Sequence, residues 1–262
     1  MTGAAAASLR IGCVKYLNAR PLIHGWPGPV DLDHPASLCR KLAAGQLDVA
    51  FVSSFEFLSD PLYTIVDDVA VASDGPVYSV VLAHHEELER IEEITLDPAS
   101  RTSVNLLRCL LAERGITPRF VSPEAGGAEA VTTTRARLLI GDQAIRFRDR
   151  YRTNYRFWDL GAEWKRITRL PFVFALWLIR PEVSEPQSIA DRLRAHRDQN
   201  LRCLNEVISA QTNFPPDFCR YYFGECLRFR FSEIEKKGLL HFRSLCERHQ
   251  ILQPNRAALA LV

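Results

Sequence analysis

The strongest constraint on this chain is the order in which short apolar runs and helical stretches alternate. "LRIGCV" at 9–14 and "LDVAFV" at 47–52 are brief and β-rich. Between them "PASLCRKLAAG" at 35–45 has helical spacing, with Gly45 placed to end the helix. This is βαβ grammar, and it calls for an α/β fold with a mostly parallel sheet. A second unit starts where "EITLD" at 93–97 leads into "PASRTSVNLLRCLLAERG" at 98–115. There Val104, Leu107, Leu110 and Leu111 share a helical face, Ser100 or Thr102 caps the start and Gly115 closes the end. "RARLLIGDQAI" at 135–145 reads as a buried strand that opens into another helix.

Two strand-then-polar-turn groups, at 10–58 and 93–146, imply two similar lobes, with "PVYSVVLAHH" and "PFVFALWLIR" crossing between them. From about 185 onward one helix follows another, as a carboxy-terminal cap on the first lobe. The expected division is residues 8–86 with 176–262 as the first lobe, and 87–175 as the second.

Composition removes several function classes. With 33 Lys and Arg against 31 Asp and Glu, the formal charge of +2 is too balanced for a nucleic-acid footprint. The longest apolar run, "LPFVFALWLI" at 170–179, is far shorter than the ~18 residues of a membrane span. "MTGAAAASLR" has neither the basic region nor the apolar core of a signal peptide, so a cytoplasmic protein is expected. Seven scattered cysteines without a C-x-x-C pair read as reduced thiols used as small core residues. His84-His85 has no third ligand in view, and no metal site is expected.

No G-x-S-x-G, H-E-x-x-H, P-loop or G-x-G-x-x-G occurs. Instead, hydroxyls and amides recur at strand ends: Asn18, Ser53 and Ser54, Ser79, Thr102 and Ser103, and the Gly141-Asp142 turn. Taken singly, a serine or threonine before a helix is an ordinary cap worth ~1 kcal/mol, and Asn18 is equally an Asx-turn residue before Pro21. Their recurrence argues for a cleft at the carboxyl ends of parallel strands, where helix starts favour an anion such as a carboxylate. Arg20 offers charge to that anion or simply begins a helix. Glu56 serves the first turn of its own helix, and Trp164, Trp177, Phe172 and Phe174 read as packing residues.

The ordered set "RIGCVKYLNARPL", "GQLDVAFVSSFEFL", "SDGPVYSVVL", "DPASRTSVNLLRCLL", "RLLIGDQAI" and "DLGAEWKRITRLPFVFALW" resembles the chorismate dehydratases of the futalosine route to menaquinone. The resemblance spans about residues 8–180. It implies a two-lobed fold like the type II periplasmic binding proteins, with a ligand cleft between the lobes and carboxy-terminal helices. It further implies a cofactor-free cytoplasmic lyase that converts chorismate to 3-[(1-carboxyvinyl)oxy]benzoate and water, the substrate's own enolpyruvyl carboxylate taking the proton. By that resemblance Asn18 and Ser79 are the catalytic contacts, and Thr102 and Ser103 hold a carboxylate through side chains and backbone N–H groups. Ser53, Ser54, Gly141 and Asp142 line the cleft.

Lys15, Tyr78, Arg135 and Arg137 depart from the family pattern, and a bulky Tyr78 beside Ser79 is expected either to narrow the pocket or to offer a phenolic donor. Two alternatives stand beside this one. One is a non-catalytic binding protein for small anions on the same scaffold. The other is the naphthoate-forming lyase of the same pathway, for which a histidine of the second lobe is expected.

Overall fold

The computed structural model describes residues 9–97, 99–122, 135–255 and 257–262. Ala4–Ala7, which read in the sequence as a lead-in to the first strand, lie outside them. Chain order begins with β1 (Ile11–Val14), α1 (Arg20–Ile23), β2 (Val30–Asp33), α2 (Pro35–Ala43), β3 (Val49–Ser53), α3 (Ser54–Ser59) and β4 (Thr64–Ser73). The chain then forms β5 (Val80–His84), β6 (Glu93–Thr95), α4 (Arg101–Glu113), β7 (Arg119–Val121), β8 (Ala136–Ile140), α5 (Gly141–Arg150), β9 (Arg156–Asp159) and α6 (Leu160–Thr168). It ends with β10 (Phe172–Ile179) and the helices α7 (Pro186–Arg202), α8 (Leu204–Ser209), α9 (Pro216–Tyr221) and α10 (Glu233–Arg248).

The strands form two five-stranded sheets of the same plan, β2-β1-β3-β10-β4 and β7-β6-β8-β5-β9. In each, three strands run parallel, and the fourth in the row runs antiparallel to both its neighbours. That fourth strand is the one laid down just after the chain changes sheet. β5 and β10 are buried along their whole length, as their uninterrupted apolar character requires.

The strand pairing moves the expected division. Val80–His84 pairs with β8 and β9, and Phe172–Ala175 with β3 and β4, so the crossings lie between Ser73 and Val80 and between Asp159 and Phe172. The expected boundaries at 86 and 176 place the whole of β5 and the first half of β10 with the other sheet. An all-apolar strand has the same signature in either sheet, and only its partners decide which it joins.

The carboxy-terminal helices pack on the first sheet's lobe, α7 against β4 and α1, and α10 against β10, with α10 also reaching α4. β4 is an edge strand, and the end of the chain covers it. Ile65 N–H donates to Ala260 O (2.7 Å), Asp67 N–H to Val262 O (2.8 Å) and Ala72 N–H to Arg228 O (2.9 Å). These bonds satisfy groups that would otherwise invite another strand. Arg197 of α7, fully buried, donates to Phe229 O (2.8 Å), Asp198 Oδ1 (2.6 Å), Asp68 Oδ2 (2.8 Å) and the Asp68 carbonyl. It pins the cap onto the bulge of β4, where Asp68 holds φ +60°.

Gly238 marks the closest approach of the cap to the sheet, since a Cβ there would stand 2.1 Å from the Pro171 carbonyl oxygen. Gly224 has nothing within 4 Å of a Cβ. Gly238→Ala is therefore expected to destabilise by ~1–3 kcal/mol through overpacking, whereas Gly224→Ala leaves stability within ~1 kcal/mol of wild type. Thermal melts of the two variants check this, and equal melting temperatures would contradict the packing described.

Candidate active site

The carboxyl ends of the parallel strands of both sheets face one cavity. After β1 come Val14, Tyr16 and Asn18, and at the end of β3 stands Ser53. From the other sheet come Ser100 and Ser103 at the start of α4, and Ile140 with Gly141 where β8 gives way to α5. The crossing segment contributes Val77, Ser79 and Val80, and β10 contributes Phe174 and Ala175. The free volume between them is about 40 Å³, far below the ~300 Å³ at the low end of small-molecule sites.

Polar groups at this junction satisfy one another across the lobes. Ser53 Oγ accepts from Thr102 N–H (3.0 Å) and shares a short hydrogen bond with Thr102 Oγ1, which itself accepts from Phe55 N–H (2.9 Å). Ser54 Oγ donates to Val173 O (2.7 Å). Ser100 Oγ accepts from Ser103 N–H (3.3 Å), which makes Ser100 the cap of α4. Asp142 Oδ1 accepts from Leu17 N–H (2.8 Å) and so ties α5 to the turn that carries Asn18. Arg101 pairs with Glu56 (2.9 Å) at the rim of the same contact.

Asn18 is the exception. Its Oδ1 is buried and has no hydrogen-bond partner among the described residues. A buried polar atom left unpaired costs ~1–3 kcal/mol, so each one calls for an explanation such as an ordered water, an ion or a functional role. The carboxamide offers both a donor and an acceptor there.

The crossing segment is held under strain beside it. Tyr78 lies at φ +67°, a conformation rare outside glycine. Asp159 holds it there by accepting from Val77 N–H (3.0 Å) and Tyr78 N–H (2.8 Å). Ser79 N–H bonds Val77 O (2.8 Å), and Ser79 O accepts from Gly141 N–H (2.8 Å). Gly141 must be glycine on two counts: its φ is +57°, and a Cβ would sit 2.9 Å from the Tyr16 ring.

Of the residues expected from sequence, Asn18, Ser79, Ser53, Ser103 and Gly141 meet at the cavity wall. Ser54, Thr102 and Asp142 do not. Their polar atoms are consumed in bonds behind the wall, because the first turn of a helix turns successive side chains in different directions. The Thr102 and Ser103 N–H groups, expected to hold a carboxylate directly, already donate to Ser53 and Ser100, and the serine side chains line the cavity there.

Tyr78 neither narrows the cavity nor offers it a phenol. Its ring lies under the Arg148 guanidinium (4.2 Å) and against Phe218 and Tyr221. Lys15 is exposed, and Arg20 donates to Lys15 O (2.9 Å). Arg20 instead borders a roomier depression of about 430 Å³ with His24, Trp26 and Gln211. That depression lies between α1, β2 and the end of α8, gathers none of the strand-end hydroxyls and is not a meeting of lobes, so the smaller cavity is the candidate site. Sequence reasoning missed Tyr16 and Phe174 as wall residues and read Ser100 only as a cap.

Electrostatically the wall is neutral. Its one titratable group is Tyr16, whose phenol burial pushes up and which hydrogen-bonds His34 Nδ1 (3.2 Å). Behind the wall, burial raises the Asp142 and Asp97 carboxyls above the ordinary carboxylate range. His84 sits off the wall, its Nδ1 on Glu86 O (2.6 Å) and its basicity lowered by burial, and His85 packs on Tyr155.

Comparison with known proteins matches residues 9–248 to a family described as "Menaquinone biosynthesis". The chain is 34% identical over 256 aligned residues to a chorismate dehydratase of Thermus thermophilus, covering 88% of this chain and 93% of that one. It is 23% identical to a chorismate dehydratase of Campylobacter jejuni, covering 88% and 91%. Among solved structures, an Archaeoglobus fulgidus protein superposes with a TM-score of 0.72 at 17% identity, over 93% of this chain and 98% of that one. The alkanesulfonate-binding protein of Xanthomonas axonopodis pv. citri, bound to MOPS, gives 0.67 at 16% identity over 99% of both. The fold is that of periplasmic binding proteins. Among the described residues no helix is long and apolar enough to cross a membrane.

The raised Asp142 carboxyl has a consequence for stability. Its native state holds the proton more tightly than the unfolded chain, so that contribution is fully present below the unfolded value near ~3.9 and is lost as pH rises through the higher folded value. Melting temperatures of wild type and Asp142→Asn across pH 3.5 to 8 are expected to show the wild type's relative stability falling with rising pH and then levelling. A relative stability that rises with pH would contradict the assignment.

Proposed function

Because this chain belongs to the menaquinone biosynthesis family, we propose that it is a chorismate dehydratase, forming 3-[(1-carboxyvinyl)oxy]benzoate and water as the first committed step of menaquinone biosynthesis by the futalosine route. The observation that carries the reading is the character of the cavity wall. It offers a carboxamide whose buried oxygen has no partner, together with serine hydroxyls, and among the described residues that line it there is no carboxylate, lysine or histidine. Such a wall binds and orients an anion but supplies no ordinary general base.

Chorismate brings its own base. Its ring proton on the carbon bearing the enolpyruvyl ether is acidified by conjugation through the adjacent double bond to the ring carboxylate. The enolpyruvyl carboxylate takes that proton, the neighbouring carbon–oxygen bond to the hydroxyl breaks, and a carbon–carbon double bond forms between the two carbons. The departing hydroxyl takes that same proton from the enolpyruvyl carboxyl and leaves as water, so the carboxylate is regenerated and the ring becomes aromatic. No electron is gained or lost.

The protein's part is proximity, orientation and exclusion of water. The Asn18 carboxamide hydrogen-bonds the departing hydroxyl as a neutral donor that does not compete for the proton. Ser79 donates to a carboxylate, and the Ser53, Ser100 and Ser103 hydroxyls hold the other. A cavity of about 40 Å³ is too small to admit the substrate without movement. The lobes accordingly part to load chorismate and close on it.

His84 and His85 stand off the wall, which gives the naphthoate-forming lyase no support. Incubating the purified protein with chorismate, and following products by liquid chromatography and mass spectrometry, is expected to give a species one water lighter with a benzoate-type spectrum. Unchanged chorismate with a ligand-induced rise in melting temperature would favour anion capture without turnover. Asn18→Ala is expected to fold normally and lose turnover by ~100-fold or more, the scale of a lost transition-state donor. Wild-type rates in that variant would remove Asn18 from the mechanism.

A further inference from the structure

Ser79 on the cavity wall is gripped from an unexpected direction. Tyr222, 143 residues further along the chain and fully buried, donates its phenolic hydrogen to Ser79 Oγ at 2.6 Å. Ser79 itself is 1% exposed. Tyr222 opens a π-helical turn, Tyr222–Cys226, that follows α9, and the turn closes with Leu227 N–H on Tyr222 O (3.2 Å). Single π turns of this kind recur where a helix must deliver a side chain to a functional position.

The ring of Tyr222 is stacked on Phe218 with 5.6 Å between centroids, and Phe218 in turn packs edge-on to Tyr78 at 5.2 Å. The phenol therefore has little freedom to leave. Burial also keeps it protonated, and so a donor, at any ordinary pH.

A serine hydroxyl has one hydrogen to give and two lone pairs to receive with, and its rotor is otherwise free. We propose that Tyr222 is the positioning residue for Ser79: by occupying one lone pair of Oγ, it turns the Ser79 hydrogen toward the cavity, poised to donate to a carboxylate of the bound substrate. The backbone at Ser79 is fixed at the same time, its N–H on Val77 O and its carbonyl on Gly141 N–H, so the hydroxyl is the last degree of freedom and Tyr222 removes it. The carboxy-terminal cap is in this way part of the site as well as a cover for the β4 edge. This inference rests on the dehydratase reading for its substrate.

The test is a double-mutant cycle on kcat/KM for chorismate with wild type, Tyr222→Phe, Ser79→Ala and the pair, alongside melting temperatures. Tyr222→Phe keeps the stacked ring and loses only the hydroxyl. It is expected to lose roughly tenfold in kcat/KM, while in the Ser79→Ala background the same change costs less than twofold, because Tyr222 acts only through Ser79. Equal losses in both backgrounds, or no loss from Tyr222→Phe in an otherwise active enzyme, would overturn the positioning role and leave the dehydratase reading standing. Should Ser79→Ala be too slow to assay, calorimetric titration with the reaction product gives the same cycle from affinities. Wild-type protein that neither turns over chorismate nor binds the product would sink both.

Discussion

Everything at the centre of this molecule depends on polar groups at strand ends being satisfied across the gap between two sheets. A parallel strand that stops at its carboxyl end leaves hydroxyls, amides and helix-start N–H groups pointing at one place. Here Thr102 meets Ser53 and Phe55, Asp142 meets Leu17, and Glu56 meets Arg101. Each pair joins one lobe to the other. Among the described residues lining the cavity, this mutual satisfaction leaves out one buried carboxamide oxygen, that of Asn18. The wall these bonds leave is neutral, built of hydroxyls, a carboxamide and apolar side chains, and in the dehydratase reading we propose it would meet an anion with oriented dipoles.

The two sheets share one plan, and the strand that changes sheet is inserted between a parallel strand and an edge in both. That insertion brings Val77–Val80 and Phe174–Ala175 to the cavity from chain segments far from the parallel strands. It also places the strained Tyr78 where Asp159 and Arg148 can hold it. The third part of the molecule, the run of carboxy-terminal helices, seals β4 through main-chain bonds and Arg197, and reaches the site through Tyr222.

Much of this is legible in the sequence. The alternation of "LRIGCV", "PASLCRKLAAG" and "LDVAFV" specifies a mostly parallel α/β sheet, and hydroxyls at the following turns mark the strand ends that meet at the cavity. Asn18, Ser79, Ser53, Ser103 and Gly141 line one cavity because strand-end position alone brings them together. Which member of a neighbouring pair faces the cavity was not legible. Ser53 and Ser54, or Thr102 and Ser103, differ only in the direction a side chain takes as a strand becomes a helix, and that direction is set by partners on the other lobe. The sheet that claims Val80–His84 was hidden for the same reason. Tyr222 left no signal at all, since a contact spanning 143 residues has no periodicity.

If, as we propose, the substrate supplies the base and the protein supplies position, the pH dependence of kcat with chorismate will show it, because that profile reports the groups that titrate in the bound complex. A wall whose one titratable group is a phenol pushed above its ordinary value predicts a flat profile from about pH 6 to 9, the substrate carboxylates being ionised throughout. A bell with a limb near pH 6 to 7 would contradict it, and would point to a protein base reached through the Tyr16–His34 hydrogen bond.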